Sequence, residues 1–241
     1  MFCYGLLGVS SFINHHRVCG YCHISYRSES VGSYGYTFYS QVGTSPDANG
    51  CDVSASTTVV SNTNVPTGYM GAQAYLYDAS DGSLWFSSGW AYNGSLRNTV
   101  FATHSTYVIN GNGWYWFGNG DVQLWNGYSY VLYPTYNTPN IESATSKTSK
   151  VESNNSAAAY GINNNNQTFG STAKAQSINT APDLIYARGI DGTYGYVYKT
   201  DIYNAGRISS PEEAMNASVP QTISLYASDG TTVIGSFGIG A

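Results

Sequence analysis

Charged side chains are scarce in this sequence. Only 10% of its 241 residues are Asp, Glu, Lys or Arg, against roughly a quarter in an average globular chain. The formal net charge is −5, and no cluster of Lys or Arg occurs that could neutralise a run of phosphates, which excludes nucleic acid as a partner. Long apolar runs are missing as well. Without 18 or more consecutive apolar residues there is no transmembrane helix. Tyr4 to Val9 is a short apolar patch with no basic residue before it, short of the h-region of a signal peptide. Signatures of catalysis are equally sparse. His104 has no Gly-x-Ser-x-Gly elbow to serve, no Gly-Lys-Ser/Thr closes a phosphate loop, and Asp78-x-x-Asp81-Gly lacks the alternating oxygen ligands of a calcium loop.

What replaces charge is tyrosine and glycine, 23 and 27 residues respectively, with Ser, Thr and Asn. Few helix formers and many Tyr, Thr and Val indicate an all-β protein. The expected architecture is an antiparallel β-sandwich followed by a polar linker and a small β-hairpin module with one short helix. Residues 31–141 hold the sandwich, with strands at Tyr34–Tyr39, Cys51–Ser61, Met70–Asp78, Leu84–Tyr92 and Asn98–Ile109, and a loop over 43–50. Residues 142–180 lose their apolar content and read as the linker, with a polar tract at Asn163–Asn166. Residues 181–241 form the small module. Asp-Gly pairs at 81–82, 191–192 and 229–230 mark three hairpin turns. Ser210-Pro211-Glu212-Glu213 starts the helix, with Ser210 as its cap. Leu76-Tyr77-Asp78-Ala79-Ser80-Asp81-Gly82 is echoed by Leu225-Tyr226-Ala227-Ser228-Asp229-Gly230, either by duplication or by shared hairpin chemistry.

Residues 1–30 differ from everything after them and read as an N-terminal extension. Three of the four Cys and three of the four His lie within the first 23 residues. Cys19-x-x-Cys22 with His15 and His23 is the candidate zinc set, His16 and Cys3 being alternatives, because zinc takes four N/S ligands. The plainer account is an extension with no metal. Cys51 is either a lone thiol or the partner of one of these cysteines in an oxidising compartment.

The densest aromatic stretch is Gly113–Tyr136. Asn126-Gly127 between Val122–Trp125 and Tyr128–Tyr133 predicts a two-residue hairpin loop, with Trp125 opposite Tyr128, Leu124 opposite Ser129 and Gln123 opposite Tyr130. Alternation then puts Val122, Leu124 and Val131 on one face and Gln123, Trp125, Tyr128 and Tyr130 on the other. Sugar rings stack on flat aromatic faces and present hydroxyls to nearby amides. Trp125, Tyr128, Tyr130, Gln123, Trp114 and Trp116 are therefore the candidate glycan-binding residues, with Trp85 and Trp90 as further platform residues. The competing account is that these rings fill a core poor in Leu and Ile. Asp121 is the one carboxylate beside this surface and the only candidate for catalysis, since the other Asp residues explain themselves as turn and cap residues.

Asn166–Ser171, Pro182–Ile185, Gly189–Val197, Ser210–Ala214 and Ile223–Phe237 together resemble the C-terminal region of exported and cell-surface proteins of Gram-positive bacteria that have no assigned activity; 66–141 is more loosely similar to small secreted bacterial β-proteins. The resemblance implies a bacterial source and an extracellular or cell-surface location, and supplies no catalytic residue. The expected function is therefore a non-catalytic secreted protein that binds glycan, a cell-wall polymer or another extracellular macromolecule through an aromatic sheet face, with no cofactor. The alternatives are a self-associating structural or adhesive matrix component, a bacteriocin-like secreted factor and, further off, a glycan-active enzyme.

Overall fold

Segments rich in Tyr, Thr and Val become strands, which make up 60% of the described residues in the computed structural model. The structure describes residues 25–109, 113–143, 151–152, 160–172, 175, 180–217 and 221–240. The candidate zinc ligands Cys19, Cys22, His15 and His23 lie outside them. In chain order come β1 (Tyr26–Val31), β2 (Tyr34–Pro46), β3 (Gly50–Val65), β4 (Met70–Asp78), β5 (Leu84–Ser87) and β6 (Ala91–Tyr92). Next are β7 (Arg97–Ile109), β8 (Trp114–Trp125), β9 (Tyr130–Pro134), β10 (Asn140–Ser143), β11 (Val151–Glu152), β12 (Gly161–Ile162) and β13 (Thr168–Gly170). The chain ends with β14 (Leu184–Arg188), β15 (Tyr194–Tyr198), α1 (Lys199–Asn204), a 3-10 helix (Pro211–Asn216), β16 (Gln221–Tyr226) and β17 (Val233–Ile239).

Three layers follow from which faces are apolar. A four-stranded sheet, β1-β2-β3-β7, forms the first. Its inward residues Tyr36, Phe38, Val59 and Val100 share a core with Met70, Ala72, Val122 and Leu124 of β4 and β8, which are paired antiparallel in the second layer. The opposite face of β4 and β8 carries Tyr75, Tyr77 and Phe117, which pack with Ile185, Val197, Leu225 and Phe237 of the third layer. Covered on both sides, β4 is buried at all nine positions and lacks a polar face, as a central strand must.

The third layer is a closed five-stranded barrel, β5-β17-β16-β15-β14. β5 is the joint. One side of it pairs antiparallel with β4, while the other pairs in parallel with β14 at Leu84 and with β17 at Ser87. Residues on both sides of the stretch 142–180 share one core, to which Leu84 and Leu225 both belong. The Asn tract of that stretch is hydrogen-bonding material rather than slack. Asn163 accepts the Asn165 and Gln167 amides and donates to the Ser228 carbonyl, and Asn165 donates to Asp229 O, clamping the 228–230 turn.

Local departures from the sequence reading have simple causes. The loop after β8 has four residues, not two: the Asn126 side chain accepts the amides of Tyr128 and Ser129, so Trp125 pairs with Tyr130 and Leu124 with Val131. A two-residue slip keeps every side chain on its face, so Val122, Leu124 and Val131 stay together while Tyr128 leaves the strand. β2 continues to Pro46 through the expected 43–50 loop, leaving a tight turn closed by Asp47. Residues 26–30 of the expected extension pair with β2. The helix after Ser210 is 3-10, and Ser209 rather than Ser210 engages the Glu213 carboxylate, through its amide and hydroxyl. A second helix, α1, had no cap or period to announce it.

The repeated Leu-Tyr hairpins share geometry as well as letters. In each, the amide after the Tyr bonds a carbonyl five residues on, Asp78 to Ser83 and Ala227 to Thr232. In each, the register then shifts between the Leu and the Tyr, leaving one bulged residue on the return strand: Trp85 in the first, Ile234 in the second.

Candidate functional site

A bulge re-aims the residue it leaves unpaired, and at Trp85 this turns an indole toward the start of β8. Trp85 meets Trp116 edge-to-face at 4.7 Å and Trp114 at 5.6 Å. Over the Trp85 ring, at 4.2 Å, lies the guanidinium of Arg188, a cation–π contact worth about 0.5–2 kcal/mol. Arg188 leaves the barrel on its outer side because Ile185 and Ala187 point in. Its cross-strand neighbour is Tyr194, which stacks on Tyr186 at 5.7 Å. Tyr186 in turn touches Tyr196 at 5.6 Å, and Tyr196 touches Phe169 at 5.4 Å. The result is a ribbon of rings running from the second layer across the joint onto the barrel wall.

Its solvent-facing members are Trp114, 39% exposed, and Tyr194, 41% exposed; Trp85, Tyr186, Arg188, Tyr196 and Phe169 are half-buried. Polar groups border it. Asp81 sits at the tip of the β4–β5 turn, exposed, and after burial its carboxylate is the next cause raising the hydroxyl pKa of Tyr186 and Tyr194. Asp78 is buried, and burial raises its carboxyl above the usual range, but its Oδ1 is taken by the amide and hydroxyl of Ser80. A sealed carboxyl beside a local turn offers no acid–base pair to a substrate. The ribbon can stack, donate through Arg188 and accept through Asp81. That is binding chemistry.

The residues singled out from the sequence divide between the two ends of β8, on the order of 35 Å apart at strand rise. Trp114 and Trp116 belong to the ribbon, although Trp116 is fully buried and donates its indole N–H to Ser143 Oγ at 2.9 Å. Trp125 and Tyr130 are half-buried and stack edge-on at 5.1 Å, and the Tyr130 hydroxyl bonds the Gly68 carbonyl. Tyr128 is 93% exposed at the loop tip. Gln123 is not on a surface at all: it is completely buried, accepting from Tyr92 at 2.7 Å and donating to Tyr203 at 3.3 Å. Trp90 is also core, its indole N–H given to the Tyr203 carbonyl.

Asp121 is buried opposite Gln73 in the β4–β8 ladder. It accepts the Tyr75 hydroxyl at 2.9 Å, and desolvation pushes its carboxyl up to about 6. The adjoining cavity, between Tyr75, Asn119, Thr135 and Ile202, measures about 30 Å³, room for one water and none for a sugar. His104 is half-buried edge-on against Phe86 at 4.6 Å, with burial lowering its pKa. Among the described residues, no group of three or more His, Cys, Asp and Glu is placed to hold a metal.

Sequence reasoning missed Tyr186, Arg188, Tyr194 and Tyr196, although the signal existed. The β14–β15 hairpin was legible, and its period-two Tyr residues belong on one face. Nothing in the sequence marked the bulge that joins that face to Trp85 and Trp114. No family model, no curated protein and no solved structure matches this chain.

Proposed function

We propose that the Trp114–Trp85–Arg188–Tyr194 ribbon is the glycan-binding surface of a non-catalytic, exported bacterial protein. The observation that carries this reading is two runs of ring contacts in adjoining layers, bridged by Arg188 between Trp85 and Tyr194, with both Trp114 and Tyr194 about 40% open to solvent. Rings needed only to fill a core would not be left exposed in sequence-distant pairs. Exposed contiguous apolar patches on a soluble protein mark contact surfaces, and flat rings with interleaved donors and acceptors suit sugars better than a peptide that needs a groove. We read the first two layers as a β-sandwich scaffold and the ligand as a cell-wall polymer or another extracellular glycan. The resemblance of 166–239 to exported Gram-positive proteins supports the location.

Sedimentation with insoluble polysaccharides and bacterial wall preparations tests the proposal. The Trp114→Ala, Tyr194→Ala double variant should bind about tenfold more weakly or worse, as expected for aromatic anchors at an interface centre, while retaining its unfolding midpoint. Trp125→Ala should bind like the wild type. Retention of wild-type protein on none of these materials, or undiminished binding by the double variant, would sink the reading.

A further inference from the structure

Sheet edges left open invite pairing with another chain, and proteins blunt them with short strands, charges, prolines or bulges. Most open edges among the described residues are blunted in this way. β1 has six residues, including Arg27 and Glu29; β9 ends in Pro134; β6, β11 and β12 have two residues each. β7 is different. It closes the four-stranded sheet with β3 on one side and, among the described residues, no strand on the other. From Thr99 to Ile109 it runs without Asp, Glu, Lys, Arg, Pro or Gly, and its outward residues Phe101, Tyr107 and Ile109 are 61%, 43% and 70% exposed.

The strand is also complementary to itself. Laid antiparallel against a second copy with His104 on the two-fold axis, Phe101 faces Tyr107, Thr103 faces Ser105 and Thr99 faces Ile109 on the outward side. On the inward side Val100 faces Val108 and Ala102 faces Thr106. Three of the five pairs, Phe101–Tyr107, Thr103–Ser105 and Val100–Val108, are alike in kind, and no charge is brought against another. Moving the axis to Thr103 or Ser105 breaks both the Phe101–Tyr107 and the Val100–Val108 pairs. Burial against Phe86 disfavours the charged form of His104, which limits repulsion between two copies of it at the axis.

We propose that β7 pairs with β7 of a second copy of this chain, joining two four-stranded sheets into one of eight strands in a closed two-fold dimer. An isologous edge pairing of this kind uses up both free edges, so the assembly stops at two. This pairing is independent of what the aromatic ribbon binds.

Analytical ultracentrifugation of the full chain at tens of micromolar should give twice the monomer mass. Thr103 and Ser105 are exposed, and the bond from Thr103 Oγ1 to the Ala55 carbonyl is lost equally in both variants below. Thr103→Lys with Ser105→Lys sets Lys against Lys at two symmetric points and should raise the dimer dissociation constant about tenfold or more. Thr103→Lys with Ser105→Glu sets Lys against Glu at the same points and should restore the dimer. A monomeric wild type, a Lys/Lys variant that dimerises normally, or a Lys/Glu variant that stays as weak as Lys/Lys would each overturn the proposal.

Discussion

Gly120→Ala is expected to destabilise the protein by about 3 kcal/mol or more, the upper range for overpacking a filled core. A Cβ at Gly120 would collide with Thr57 Oγ1 in the facing sheet and with the Gln73 carbonyl oxygen in the neighbouring strand. Neither can yield cheaply. Gln73 O is backbone, and Thr57 is fixed by a buried hydroxyl network in which Ser40 Oγ lies 2.7 Å from Thr57 Oγ1 and 2.8 Å from Thr135 Oγ1. The Gly120 amide donates to that same Thr135 hydroxyl at 2.9 Å. The methyl group must therefore separate the first and second layers or break the network. Gly35→Ala is the control, because its Cβ would lie 3.5 Å from Asn62 Nδ2 in ordinary contact; a change within about 0.5 kcal/mol is expected. Urea unfolding midpoints compare the two. Equal midpoints would mean that the layers do not meet at Gly120.

Asp121→Asn is expected to change the pH dependence of stability more than any other substitution. The folded carboxyl titrates near 6 against an ordinary 3.8, so the folded state holds its proton more tightly than the unfolded state does. Stability from this group is full below about pH 3.8 and is lost as the pH rises through about 6. At about 1.4 kcal/mol per pKa unit the loss is about 3 kcal/mol by pH 8. Asparagine keeps an acceptor for the Tyr75 hydroxyl and has no proton to lose. Whatever the amide itself costs is the same at every pH. The stability of the variant relative to wild type should therefore rise by about 3 kcal/mol between pH 3.5 and pH 8. A difference that is flat across this range would mean that the carboxyl titrates as it does in water, and that β4 and β8 are not covered at this position.

The all-β class and the hairpins at Asp81-Gly82, Asp191-Gly192 and Asp229-Gly230 were legible because the turn chemistry is local: each Asp accepts the amide two residues on, and each Gly has positive φ. The Asn126-Gly127 hairpin lies where the sequence puts it, with a loop two residues longer. Asn supports both outcomes, through positive φ at a two-residue turn or through its side chain in a longer one, and only the strand partners decide. What was not legible is tertiary. Composition separated 142–180 from its flanks, yet barrel closure through the four residues of β5 depends on parallel pairings that leave no local trace. Period-two alternation gives a strand one polar face and so puts Gln123 on a surface; in β8 both faces are covered at this position, and Gln123 is satisfied internally by Tyr92 and Tyr203. The ribbon was half visible for the same reason. Trp114 and the β14–β15 tyrosines are far apart in sequence, and the bulge at Trp85 brings them together.

On the reading proposed above, the ribbon, rather than the Trp125 end of β8, meets the ligand. The five tryptophans give five indole N–H signals that report on separate places. Titrating the ¹⁵N-labelled protein with a soluble wall polysaccharide that it retains should shift the signals of Trp114 and Trp85 and leave those of Trp90, Trp116 and Trp125 nearly still. Movement of Trp125 with Trp114 and Trp85 unchanged would contradict the claim, as would binding that moves none of the five.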